Sequence, residues 1–145
     1  EVLDRLSSEG ASMTLPVLKL IQDLKQPRPQ SNATVSYAPK FYKKDGEIHW
    51  GISSDSIYNL YRALGSNPGI WSELNGVRIR IDNLRKSKVL LKLKPGEINI
   101  DDEKMYVGAL DGIIEVQKVT PAGRNSMSSA EFTRGLTSKT GLHFG

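Results

Sequence analysis

Between Tyr37 and Trp50 the sequence YAPKFYKKDGEIHW sets Lys40, Lys43 and Lys44 among Tyr37, Phe41, Tyr42 and Trp50, with Lys44, Asp45, Gly46 and Glu47 forming a tight-turn signal. Ammonium groups at this spacing can neutralise phosphates, and exposed rings can stack on bases. Tyr37, Phe41, Ile48 and Trp50 fall where strands flanking the turn point them inward, so they are expected in a core, and the lysines remain as candidate ligands for a polyanion. The other reactive residue types form no constellation. His49 sits beside Trp50 in an alternating pattern and is expected on a strand surface; His143 is far away in the sequence. Asp45 with Glu47, and Asp101 with Asp102 and Glu103, are acidic groups at turns, where solvation accounts for them. H-E-x-x-H, a phosphate loop, G-x-S-x-G, G-x-G-x-x-G and metal-ligand spacings are all missing, so no catalytic residue and no metal site is assigned.

Charge distribution extends the polyanion argument. The net charge is only +4, and residues 1–30 balance their charges. Residues 62–94 instead carry Arg62, Arg78, Arg80, Arg85, Lys86, Lys88, Lys92 and Lys94 against Glu73 and Asp82, while 95–112 reverse the sign. A basic face of this kind suits phosphates. With 145 residues and 38% hydrophobic content, the chain is long enough for one ordinary domain with a core. The absence of cysteine excludes a disulfide framework and thiolate zinc sites and points to an intracellular setting. No apolar run approaches a membrane span, the first residues lack a signal-peptide layout, and Glu1 in place of Met makes a piece of a longer protein the expectation.

The elements that must carry these groups come in two styles. Val2, Leu3 and Leu6 share a helical face that Gly10 is expected to end, and Leu15, Leu18, Ile21 and Leu24 give a second helix over Thr14–Lys25 with Pro16 in its first turn. QPRPQSNATVS, residues 26–36, has linker composition. Ser53 or Ser54 then caps a helix over 55–64, closed by Gly65. Strands follow at 70–74, 77–82, 89–93, 97–100, 105–110 and 113–120, with turn signals at Asn75-Gly76, Pro95-Gly96 and Asp111-Gly112. Alternation of Val77, Ile79 and Ile81 with Arg78 and Arg80 puts both arginines on a solvent face. A short helix over 128–134 ends at Gly135, and 137–145 is expected to be flexible. The fold class is therefore mainly β, a small OB-like barrel preceded by helices and an extended linker.

Taken in order, NATVSYAPKFYKKDGEIHW, SDSIYNLYRALG, NPGIWSELNGVRIRI and DGIIEVQKVTPAGRNSMSSAEFTRG resemble the C-terminal region of the methionyl-tRNA formyltransferase family. The resemblance rests on Tyr37, Ala38 and Lys40; Asp45, Gly46 and Trp50; Arg62 and Ala63; Pro68, Gly69 and Trp71; and Gly123, Arg124, Met127 and Ser128, with Leu3–Gly10 similar to the helix closing that family's catalytic domain. The chain departs from the usual bacterial pattern at Asn67 and Ile70, and Tyr61 before Arg62 is more like mitochondrial members. The resemblance implies an enzyme that moves a formyl group from formyl-tetrahydrofolate to the methionyl amine of initiator tRNA. Its Asn, His and Asp catalytic set belongs to an N-terminal domain with no match here. Residues 1–25 are then the helical tail of that domain, 26–36 the linker, 37–136 the barrel and 137–145 the tail.

The implied partners are initiator methionyl-tRNA and the catalytic domain of the same chain, with no membrane, no cofactor held by this segment, and a bacterial cytoplasmic or mitochondrial matrix setting. Lys40 and Lys43 match basic positions of the family's linker-proximal segment, and Arg124 and Arg134 match its closing segment. Lys44, Arg85, Lys86 and Lys88 join them as RNA-binding candidates from charge clustering alone. An amino-sugar formyltransferase or a formyl-tetrahydrofolate dehydrogenase remains an alternative within the family. A stand-alone OB module for single-stranded nucleic acid is another, which exposure of Tyr37, Tyr42 or Tyr106 would favour.

Overall fold

A 21-residue helix, α1 (Val2–Gln22), runs uninterrupted through Gly10 and Pro16, where the sequence suggests two helices. Glycine inside a helix costs only about 1 kcal/mol relative to Ala, too little to stop one whose neighbouring turns are well formed. Ser12 and Thr14 spend their hydroxyls inside the helix, donating to the Glu9 carbonyl at 2.7 Å and the Gly10 carbonyl at 3.1 Å. The chain leaves α1 through Leu24, whose φ of 54° is left-handed, with the Lys25 amide donating to the Leu20 carbonyl at 3.1 Å. None of the side chains of α1 is buried.

The structure, a computed structural model, describes residues 2–29, 31, 35–65 and 67–145. It divides into two compact units, 1–38 and 39–145. Positions 30 and 32–34 of the expected linker, including the start of the NATVS string, lie outside the described residues.

In the second unit, α2 (Ser54–Leu64) starts at Ser53, whose hydroxyl accepts the Ser56 amide at 3.1 Å, and ends at Gly65 with φ 51°. Its stripe buries Ile57 and Leu64, with Leu60 and Tyr61 packed partly against the core. Asp111, from a distant turn, accepts the Ser54 amide at 2.7 Å; that hydrogen bond holds the Asp111 carboxyl below its ordinary range.

The strands are β1 (Ile70–Leu74), β2 (Val77–Ser87), β3 (Ile98–Asp101), β4 (Lys104–Gly108), β5 (Ile113–Pro121) and β6 (Met127–Ser128), followed by α3 (Ser129–Arg134). Asn75 and Gly76 both take positive φ, as the two-residue hairpin between β1 and β2 requires. Pairing is antiparallel throughout these strands in the order β1-β2-β5-β4-β3, with β6 on β5. β2 is longer than its hydrophobic alternation suggests: it crosses an irregularity between Ile81 and Leu84 and pairs with β5 as far as Ser87–Ile113. Among the described residues no partner strand lies beyond that pair, so Val89–Leu93, expected as a strand, is an irregular segment in which Leu90 is fully exposed.

Within the expected flexible tail, 137–145, residues 137–141 are exposed, but 142–145 form a stave of the barrel. Leu142 and Phe144 are buried, and Phe144 bridges to Leu74 of β1 while His143 bridges to Glu97 beside β3. The Ile98 amide donates to the Leu142 carbonyl at 3.0 Å, the Phe144 amide to Gly96 at 2.9 Å and the Gly145 amide to Glu73 at 3.1 Å. These bonds carry the sheet from β3 round to β1, pairing edges that would otherwise stay open. Phe144 stacks on Trp50 with ring centroids 5.6 Å apart and planes 8° apart, and Trp50 Nε1 donates to Ser72 Oγ at 3.0 Å. Of the aromatic positions expected inside, Trp50 is buried together with Ile48, whereas Tyr37 and Phe41 are 91% and 54% exposed. Only the part of the stretch after the Lys43–Gly46 turn joins the sheet; among the described residues the chain before it has no strand partner.

Candidate nucleic-acid interface

The Lys43–Gly46 3-10 turn is fixed against β1 by backbone contacts, and that sets where its lysines stand. Trp71 Nε1 donates to the Lys43 carbonyl at 2.8 Å, and the Ile48 amide to the Trp71 carbonyl at 2.9 Å. Asp45 turns its carboxylate back to accept the Tyr42 amide at 2.7 Å, a local cap. Lys40, Lys43 and Lys44 are exposed, and among the described residues none forms an ion pair. They are the one group of sequence candidates that stays together with its charge uncommitted.

Arg85 and Lys86 are adjacent on β2 but already engaged. Arg85 makes a two-pronged contact with Glu115, Nε at 3.0 Å and Nη2 at 2.9 Å, and the Glu115 side chain is only 8% exposed. Lys86 Nζ lies 2.5 Å from Asp55, whose hydrogen bond and charge raise the lysine pKa. Lys88 is exposed in the irregular segment after β2, Arg124 follows β5, and Arg134 closes α3, donating to the Ala130 carbonyl at 3.2 Å with Glu103 3.5 Å away. The candidates are therefore dispersed over several elements rather than gathered in one patch.

The outward face of β1, β2 and β5 carries Arg78 and Arg80 of the basic 62–94 stretch, which are not among the eight RNA-binding candidates. Trp71, Arg80 and Thr120 lie in one cross-strand row. The Arg78 guanidinium lies over the Trp71 ring, with Cζ 3.8 Å from its centre, a cation–π contact. Arg80 Nε reaches Asp82 Oδ1 at 2.7 Å, while Thr120 and Ser126 donate to Oδ2 at 2.6 and 2.5 Å. The available signal is the Val77/Ile79/Ile81 alternation, which places Arg78 and Arg80 outward; their partners come from other strands and are invisible in it.

Asp82 responds to this environment. Burial alone would raise its pKa, but hydrogen bonds from Ser126 and Thr120 together with the Arg80 charge overcome that and leave it lowered. A carboxylate with a lowered folded-state pKa contributes stability above its unfolded pKa, and that contribution is lost as the pH falls through the folded value. Asp82→Asn is thus expected to flatten the fall in stability below about pH 4, measured by denaturant unfolding across pH. An unchanged acid limb would remove Asp82 from that role. Among the described residues no group of three or more His, Asp or Glu side chains is placed to hold a metal ion, and no helix is long and apolar enough to cross a membrane.

A family profile for the formyl transferase C-terminal domain matches residues 40–137, nearly the whole of the unit that carries the sheet. The chain belongs to this family. Over almost its full length the chain is similar to bacterial methionyl-tRNA formyltransferases. It is 34% identical to that of Syntrophomonas wolfei subsp. wolfei, covering 97% of this chain and 46% of the relative. With Syntrophus aciditrophicus the identity is 33%, over 98% and 46%. With Paenarthrobacter aurescens it is 32%, over 94% and 44%. The chain thus spans somewhat less than half the length of these relatives. Among solved structures, a variant of HypX from Aquifex aeolicus superposes with a TM-score of 0.65 at 23% identity, over 86% of this chain and 24% of that one. That likeness concerns the fold alone.

Proposed function

We propose that this chain is the tRNA-holding part of a methionyl-tRNA formyltransferase, acting in the bacterial cytoplasm or the mitochondrial matrix. The observation that carries the proposal is the similarity to methionyl-tRNA formyltransferases over 94–100% of this chain. In this account a separate catalytic domain of the same protein, bearing the Asn, His and Asp set and using formyl-tetrahydrofolate, formylates the methionyl amine. The barrel binds and orients the initiator tRNA. Phosphate contacts fix register without reading sequence, and a correctly held acceptor end gives the chemical step its geometry.

Lys40, Lys43 and Lys44 support this role because their charges are uncommitted among the described residues, whereas Arg85 and Lys86 already have carboxylate partners. A module for single-stranded nucleic acid draws some support from Tyr42, 60% exposed, and Tyr37; Tyr106, at 6%, speaks against it. Phe41 and Tyr42 stand exposed between Lys40 and Lys43, so stacking on unpaired bases is compatible with holding a tRNA.

The double substitution Lys40→Glu/Lys43→Glu is expected to weaken binding of initiator and elongator tRNAs by about the same factor, roughly tenfold near 0.1 M salt, as lost phosphate contacts do. Fluorescence anisotropy on several labelled tRNAs measures it. Loss confined to one tRNA, or none at all, would assign these lysines no phosphate role.

A further inference from the structure

We propose that the cleft between the end of α2 and the bulged middle of β2 is a phosphodiester-binding site that grips the RNA backbone. This rests on the proposal that the domain holds tRNA, and it locates a specific contact that no sequence candidate covers.

The cleft encloses about 670 Å³ and is lined by Arg62, Arg80, Lys118, Tyr61, Asn83 and Ser126, with Asp82 beneath. The register beside it is irregular: β2 gains one residue between Ile81 and Asn83, and β5 gains one between Lys118 and Val116, so the ladder is interrupted at Asp82 and Asn83, which line the cleft with the C-terminal turn of α2. Three cations face one carboxylate, and that carboxylate is occupied by Arg80, Thr120 and Ser126. Its negative charge therefore orients the arginine more than it repels a ligand. Arg80 uses Nε, at the base of its guanidinium, for that contact, which leaves the fork of Nη donors suited to phosphate oxygens. Arg62 and Lys118 are exposed and, among the described residues, form no ion pair.

Polar groups beside the cations favour a sugar-phosphate chain over a small anion. Among the described residues the Tyr61 hydroxyl makes only long contacts, 3.4 Å to the Asp82 carbonyl and 3.4 Å to Asn83 Oδ1, of the kind a ribose hydroxyl can replace. Along β2 the basic face continues from Arg80 to Arg78 on Trp71, and Trp71 holds the backbone of Lys43. The cleft and the lysine-bearing turn thus lie on one connected surface of the same unit.

The test uses the whole chain and a labelled initiator tRNA across a salt series. Arg62→Ala/Lys118→Ala removes exposed side chains, so the melting temperature should hold, and affinity near 0.1 M salt should fall about tenfold. The slope of log affinity against log salt should shrink by about 1 to 2. Lys104→Ala/Lys139→Ala removes the same charge elsewhere and should change affinity by less than about twofold. Equal losses in both double variants would show diffuse attraction and overturn the cleft, as would parental affinity and slope in Arg62→Ala/Lys118→Ala. If the parent chain itself shows no salt-dependent binding, it is the tRNA-holding role that falls.

Discussion

Phe144→Ala is expected to lower the stability of the chain by about 3–5 kcal/mol, the cost of deleting a large buried aromatic side chain. Phe144 is 1% exposed, lies face to face with Trp50, and bridges to Leu74 at the seam that closes the sheet. Its loss opens a cavity against Trp50 and weakens the backbone pairing of the stave, two penalties at one position. For a domain whose total stability is about 5–15 kcal/mol, this removes a large share and lowers the melting temperature by roughly 10 °C or more. Thermal and urea unfolding measure it. A dispensable tail predicts no change, so an unaffected melting temperature would contradict the placement of residues 142–144.

Gly46→Ala should destabilise by about 3 kcal/mol despite adding a single methyl group. A Cβ at Gly46 would stand 2.1 Å from the carbonyl oxygen of Gly69, a backbone atom that cannot swing aside. Relief requires the Lys43–Gly46 turn to move off β1, which strains the Trp71–Lys43 and Ile48–Trp71 hydrogen bonds together. Because the same turn presents Lys43 and Lys44, tRNA affinity should fall along with stability. Unfolding midpoints and anisotropy on one preparation check both, and a variant with parental stability would show that the approach of the two backbones is looser than described.

Much of this architecture is legible in local chemistry. Asn75-Gly76 announces its hairpin because only such residues accept positive φ in succession, and Ser53 with Gly65 brackets α2 because each meets a demand of a helix end. What escapes the sequence is decided by partners far along the chain. Leu142 and Phe144 give no strand signal of their own; their burial depends on open edges at Gly96 and Leu74. Val89–Leu93 has an apolar pattern but no neighbouring strand, and Gly10 is a stop signal that the adjoining turns outweigh. The interface follows the same logic. Arg85 looks like a free cation until Glu115, thirty residues on, is brought beside it. Arg62, Arg80 and Lys118 look like scattered charges until α2, β2 and β5 gather them around Asp82.

Backbone holding of tRNA by this barrel is tested most directly by its affinity for initiator tRNA, measured by anisotropy from 50 to 200 mM salt. With roughly four phosphate contacts, affinity is expected to fall on the order of 100-fold across that range, with a log–log slope of about −3 to −4. Affinity that stays flat with salt, or no binding at the lowest salt, would contradict a barrel that holds tRNA by its backbone.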